Sequence, residues 1–249
     1  MTLTPRQEEL KAQFERVHGA WDDGWQAVLE LDPEFFAAYL GFAGVPHRKQ
    51  HLDAKTRALM ALTVDAATTH LHAPGIRRHI AAALAAGATP AEVMEVLECT
   101  ATLGIHAMNL GVPVLVEVLA ERGDRTEPAA LSEYQEQVKA DFTRDRGYWN
   151  PTWDEMLELD PELLQAYTDF SAHPWRNGTL SPKLREFVYI AFDTSSTHLY
   201  RVGLKLHIEN ALGYGATPQE ILEIMEIASV IGMQSVTTAA PILRELARG

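Results

Sequence analysis

The chain has 249 residues, 47% of them hydrophobic, with a formal net charge of −13 and a pI near 5.2. That is enough apolar chain for one large or two small cores, and the lack of any basic run of five or more residues excludes nucleic acid as the expected partner. Cys99 is the only cysteine, which excludes an intrachain disulfide, a CxxC redox pair and a zinc–thiolate site.

In chain order, the polar N-terminus MTLTPRQEELKAQ lacks the apolar core of a signal peptide. Thr4-Pro5-Arg6-Gln7 has the form of a capping box that opens a first helix. Asp32-Pro33-Glu34 places proline at the first position of another. A long helix is expected over roughly 53–71. A shorter one begins at Gly75 and ends at Gly87, and Thr89-Pro90-Ala91-Glu92 opens the next. No apolar stretch reads as the 18 or so residues of a membrane span. These signals predict a soluble, cytoplasmic protein with no membrane partner.

The same signals then recur. Residues 1–121 laid on 129–249 align without a gap, with 44 identities in 121 positions. Leu29-Glu30-Leu31-Asp32-Pro33-Glu34 returns as Leu157-Glu158-Leu159-Asp160-Pro161-Glu162, and Trp21 and Trp25 return as Trp149 and Trp153. Ser132 to Gln135 and Thr217 to Glu220 repeat the helix starts, and the second long helix is expected over roughly 181–199. Residues 122–128 read as a polar linker. The expected organisation is a copy over 1–121 and a copy over 129–249. With no alternating strand pattern in either, the expected fold class is all-α.

The densest chemistry lies in THLHAPGIRRHI (69–80) and its partner THLYRVGLKLHI (197–208). Gly75, His79, Ala83 and Gly87 are spaced i, i+4, as are Gly203, His207, Ala211 and Gly215, so one helical row carries small residues and a single imidazole. His70 and His198 end the preceding helix, and a tight turn would set them beside His79 and His207. Asp65 and Asp193 stand five residues earlier, placed to orient an imidazole. A histidine–carboxylate pair suits acid/base work near neutrality. The bland alternative is core histidines that serve helix packing. A metal alternative uses His70, His72 and His79, although position 72 becomes Tyr200 in the second copy. Arg77, Arg78 and Arg201 are candidates for contacting a carboxylate, and Tyr200, His72 and His106 are further candidate substrate contacts.

The phrase G-x3-H-I-x2-A-L-x2-G-A-T-P-x-E-[VI]-x-E-[VI], present as GIRRHIAAALAAGATPAEVMEV and GLKLHIENALGYGATPQEILEI, resembles the core of the carboxymuconolactone decarboxylase and alkylhydroperoxidase D superfamily. The resemblance implies an all-helical domain and a homo-oligomer: three tandem chains forming a pseudo-hexamer, or a dimer. The peroxidase branch carries C-x2-C-x3-H. Its cysteine positions fall here on His72 and Gly75, and on Tyr200 and Gly203; its proton-relay glutamate falls on Met60 and Val188. Without a thiolate there is no peroxidatic nucleophile. The decarboxylase branch keeps the histidine alone, as this chain does, on His79 and His207. Where that branch carries Tyr-x-Gly-x-Pro, this chain has Leu103-Gly104-Ile105-His106-Ala107, which points to a related substrate. The resemblance thus implies a lyase or isomerase of a small carboxylated lactone or oxo compound. It would need no cofactor or metal, with His79 and His207 as acid/base groups supported by His70, His198, Asp65 and Asp193.

Overall fold

The computed structural model describes residues 3–125 and 128–247, and the described residues contain helices and no strand. The first copy comprises α1 (Pro5–His18), α2 (Asp23–Leu31), α3 (Pro33–Ala43), α4 (Val45–Lys49), α5 (Ala54–Ala66), α6 (Ala73–Ala85), α7 (Pro90–Ala101) and α8 (His106–Glu121). The second comprises α9 (Glu133–Arg146), α10 (Asp154–Leu159), α11 (Pro161–Asn177), α12 (Pro182–Thr194), α13 (Arg201–Gly213), α14 (Pro218–Ser229) and α15 (Met233–Leu246). The two expected capping boxes form, at Thr4 and Ser132, and the helix starts at Thr89 and Thr217 close capping boxes as well. Each satisfies two backbone donors that would otherwise lack partners. The copies differ where Gly44 breaks the helix between α3 and α4. Its counterpart Ala172 sits inside the unbroken α11.

The long helices expected over 53–71 and 181–199 stop sooner, at Ala66 and Thr194. Leu71 and Leu199 take a left-handed φ of 51° in both copies, a conformation that costs a side-chain-bearing residue about 1–2 kcal/mol. The chain thereby doubles back, and the amide of residue 72 or 200 donates to the carbonyl of Asp65 or Asp193 at 2.9 Å. His70 and His198 consequently lie in this turn instead of ending a helix.

The central core joins the two copies. Leu59, Met60 and Leu62 of α5 pack with Phe187, Val188 and Ile190 of α12, flanked by Val96 and Cys99 of α7 and Ile224 of α14. Two satellite cores cross over. Phe14, Trp25 and Phe36 of the first copy enclose Met233 and Ala240 of α15, whereas Phe142, Trp153 and Leu164 of the second pack with Ile105 and Met108. The N-terminal helices of each copy thus rest on the last helix of the other.

Buried ion pairs fasten this exchange. Glu95 of α7 accepts from the Thr179 and Leu180 amides at 2.6 and 3.0 Å and meets Arg185 Nε at 2.7 Å. Its repeat partner Glu223 accepts from His51 and Leu52 at 2.6 and 3.2 Å and faces Arg57 at 3.5 Å.

The helical runs Pro90–Glu121 and Pro218–Leu246 reach mean hydropathies of 1.6 and 1.2 over their most apolar 18 residues, long and apolar enough to cross a membrane. This corrects the expectation that no such stretch exists. Each run arises because a short 3-10 turn joins two helices end to end, and each carries an internal proline, Pro113 or Pro241.

Candidate functional site

Two histidine–carboxylate centres form where α5 turns into α6 and where α12 turns into α13. Their turns meet, Thr69 Oγ1 lying 3.4 Å from Thr197 Oγ1. The glycine that opens each signature phrase makes room for the carboxylate. A Cβ on Gly75 would lie 1.9 Å from Asp65 Oδ2, and one on Gly203 would lie 2.4 Å from Asp193 Oδ2. The first glycine of each small-residue row therefore admits a carboxylate.

In the first centre Asp65 is buried, with His79 Nε2 3.2 Å from its Oδ2. Gln234, from the second copy, bridges the remainder: its amide nitrogen donates to Asp65 Oδ1 at 2.5 Å, and its oxygen accepts from His70 Nε2. Burial alone would raise Asp65, but the His79 imidazole, the Gln234 amide and the Arg78 charge outweigh it. The carboxyl is held below its ordinary value. His72 caps α6, its Nδ1 accepting from the Gly75 amide at 3.2 Å, and lies in one group with Asp65 and His70. Arg78 reaches over the Trp25 ring at 5.8 Å. Behind the centre lie His18 and His47, 5.1 Å apart between ring centroids. Burial first, then neighbouring positive groups, lowers their pKa to about 3 and about 4, so both stay neutral.

The second centre has the same backbone and a different circuit. His207 turns from the aspartate to Glu186, with Nδ1 2.6 Å from Oε2, and Asn210 donates to Glu186 Oε1 at 3.3 Å. The first copy holds Ala58 and Ala82 at those two positions. His106 arrives from the first copy, where the repeat places Gln234 in the other centre. Its Nδ1 lies 2.6 Å from His198 Nε2 and 3.7 Å from Asp193 Oδ1; His198 Nε2 lies 3.8 Å from the same oxygen. Both oxygens of Asp193 are buried with no hydrogen-bond donor. Burial, reinforced by the charge of Glu186, pushes its carboxyl up to about 8. Tyr200 stacks on His106 with ring centroids 3.9 Å apart. A cavity of about 30 Å³ adjoins, lined by His106, Tyr200, Tyr148, Tyr167, His207 and Arg146. The Arg146 guanidinium is buried among Phe142, Tyr148, Trp175 and Tyr189, within 6 Å of each ring.

The expected residues are thus regrouped. His79 meets Asp65, but its repeat partner His207 does not meet Asp193. The three histidines proposed to share a metal, His70, His72 and His79, do not form one group; Asp65 replaces His79 in it. His106 belongs to the second centre, not to the copy that encodes it. Arg77 and Arg201 are exposed, and among the described residues neither makes a hydrogen bond or ion pair with a centre. Three contributors lie outside the sequence expectation, Gln234, Glu186 and Arg146, and so do the glutamate staples that hold the copies together. The staples had a signal, since Glu95/Glu223 and Arg57/Arg185 are identical across the repeat. Cys99 is buried, and burial pushes its thiol up to about 12. A larger cavity of about 740 Å³, lined by Lys55, Glu92, Lys183 and Glu220 among others, shares no residue with either centre.

The fold and these centres define a tandem all-α protein with two unequal histidine–carboxylate centres, each completed by the opposite copy. The model of the carboxymuconolactone decarboxylase family matches residues 33–117 and again 161–245, and the chain belongs to that family. A crystal structure from Burkholderia xenovorans LB400, of a protein assigned provisionally as a gamma-carboxymuconolactone decarboxylase subunit, is similar over 99% of each chain. It shares 52% identity with a TM-score of 0.96. No curated protein matches the chain.

Proposed function

We propose that the protein is a lyase or isomerase acting on a small carboxylated lactone or oxo compound by histidine acid/base catalysis at its first centre. The carrying observation is the His79–Asp65 contact at 3.2 Å with the His79 side chain 23% exposed, whereas the His207 side chain is 8% exposed and tied to Glu186. Family membership and the Burkholderia relative support decarboxylation as the reaction type. Loss of carbon dioxide leaves the electron pair of the broken C–C bond on the substrate, where a conjugated carbonyl holds it as an enolate. The His79 imidazolium gives its proton to that carbon and water restores it. Asp65 steadies the cationic imidazole, Gln234 and His70 fix Asp65, and Arg78 offers a cation to the substrate carboxylate or the developing oxyanion. No cofactor is required at this centre, because the carbonyl itself is the electron sink.

Carbon dioxide release from a panel of carboxylated lactones and 2-oxo or 3-oxo acids tests the reading. His79→Ala should lower kcat by about 100-fold or more, with His207→Ala much less harmful. Equal loss from both variants, or turnover of none of the panel, would overturn it. Exposed Leu110, Val114, Leu115 and Val118 on α8, with Ile242, Leu243 and Leu246 on α15, support a homo-oligomer, a trimer or a dimer of tandem chains. Light scattering on the purified protein measures its size. The acidic charge and the buried faces of α7 and α14 support a soluble protein.

A further inference from the structure

The geometry points to a divalent transition-metal site in the second centre, with Asp193, His198 and His106 as its ligands. Three donors around one ion at about 2.0–2.2 Å stand about 3.0–3.5 Å apart in tetrahedral or octahedral geometry. The three contacts here are 2.6, 3.7 and 3.8 Å, one shorter and two longer than that range by a few tenths of an ångström. A hydrogen-bonded imidazole pair accounts for the first contact alone. It leaves Asp193, fully buried, with neither oxygen accepting a hydrogen bond. An unpaired polar group in such surroundings is costly, and a cation at the centre of the triangle would compensate it. Two imidazoles and a carboxylate suit zinc, iron, manganese or cobalt in the divalent state, with coordination positions left open. His106 borders the 30 Å³ cavity, which has room for one or two waters as further ligands.

The first centre supplies the contrast. There the amide of Gln234 occupies the place of His106 and donates to Asp65 Oδ1, and His79 Nε2 stands 3.2 Å from Oδ2, so the carboxylate faces two nitrogens of its own protein. The ion is therefore assigned to the second centre, where it would bind only when both copies are in place. It is a different site from the acid/base centre proposed above, and its test needs no substrate.

Purified full-length protein, stripped with chelator and dialysed, is titrated with cobalt(II) and followed by calorimetry and visible absorption. One equivalent per chain is expected, with d–d bands of an imidazole-ligated ion. His106→Gln, which gives the second centre the side chain of the first, should lower affinity at least 100-fold; Asp193→Asn should do the same. Circular dichroism and melting of the apo-proteins establish that both variants fold, and His79→Ala is the control that should bind normally. No binding by the wild type, or unchanged binding in folded His106→Gln and Asp193→Asn, would overturn the site.

Discussion

The two centres share a backbone and part in their circuitry. Both copies have the left-handed leucine, the glycine under the carboxylate, the aspartate and two histidines. Five substitutions among the residues around them set them apart: Ala58 against Glu186, Ala82 against Asn210, Gln234 against His106, His72 against Tyr200, and Arg78 against Leu206. In the first centre a neutral amide and a cationic partner hold Asp65 down. In the second, burial raises Asp193, and Glu186 draws His207 away and adds negative charge. Identity across a repeat therefore preserves a scaffold, while the partners beyond the repeated phrase decide what its carboxylate does.

The comparison is most strongly tested at the staples. Removing one partner of a buried ion pair leaves an uncompensated charge, at a cost of about 3–5 kcal/mol. Arg185→Met should approach that figure in a denaturant titration, and Arg57→Met should cost less, because its partner lies at 3.5 Å instead of 2.7 Å. Equal losses would show that the two crossings are energetically alike. Next comes the glycine beneath each carboxylate. Gly75→Ala should cost about 1–3 kcal/mol by overpacking and displace Asp65, with a smaller penalty for Gly203→Ala, where the clash is 2.4 Å. Thermal melts of the pair rank them.

Gln234→Ala leaves Asp65 without one donor, a loss of about 1–3 kcal/mol, and should raise the Asp65 pKa. Glu186→Ala works the other way. It removes the negative neighbour of Asp193 and should lower that pKa, partly converting the second centre to the first. Carboxyl-carbon NMR titration of both variants reads the opposing shifts, and movement in the same direction would break the contrast.

A further effect is in acid stability. His18 and His47 have folded pKa values of about 3 and about 4, below the unfolded value near 6.5. The unfolded chain therefore binds protons first as pH falls. Their contribution is full above about pH 6.5 and is lost progressively toward pH 3. Melting temperatures should fall between pH 7 and 4.5, and the slope should shrink in the His18→Gln/His47→Gln double variant. An unchanged slope would remove these two histidines from the balance.

Helix starts, the repeat and the family phrase are local facts, and the sequence by itself determined them. Thr89-Pro90-Ala91-Glu92 carries its own cap, and an i, i+4 row needs no knowledge of the other copy. The sequence also singled out Asp65, His70 and His79, because one turn is enough to bring them together. What only the tertiary structure decided is everything that crosses between copies. Gln234 lies 169 residues from Asp65, and His106 lies 92 residues from His198. Helices report their own faces through 3.6-residue spacing, but nothing in that spacing says which distant helix will cover a face. Here the covering helix belongs to the opposite copy, and it supplies the side chain that makes the two centres different.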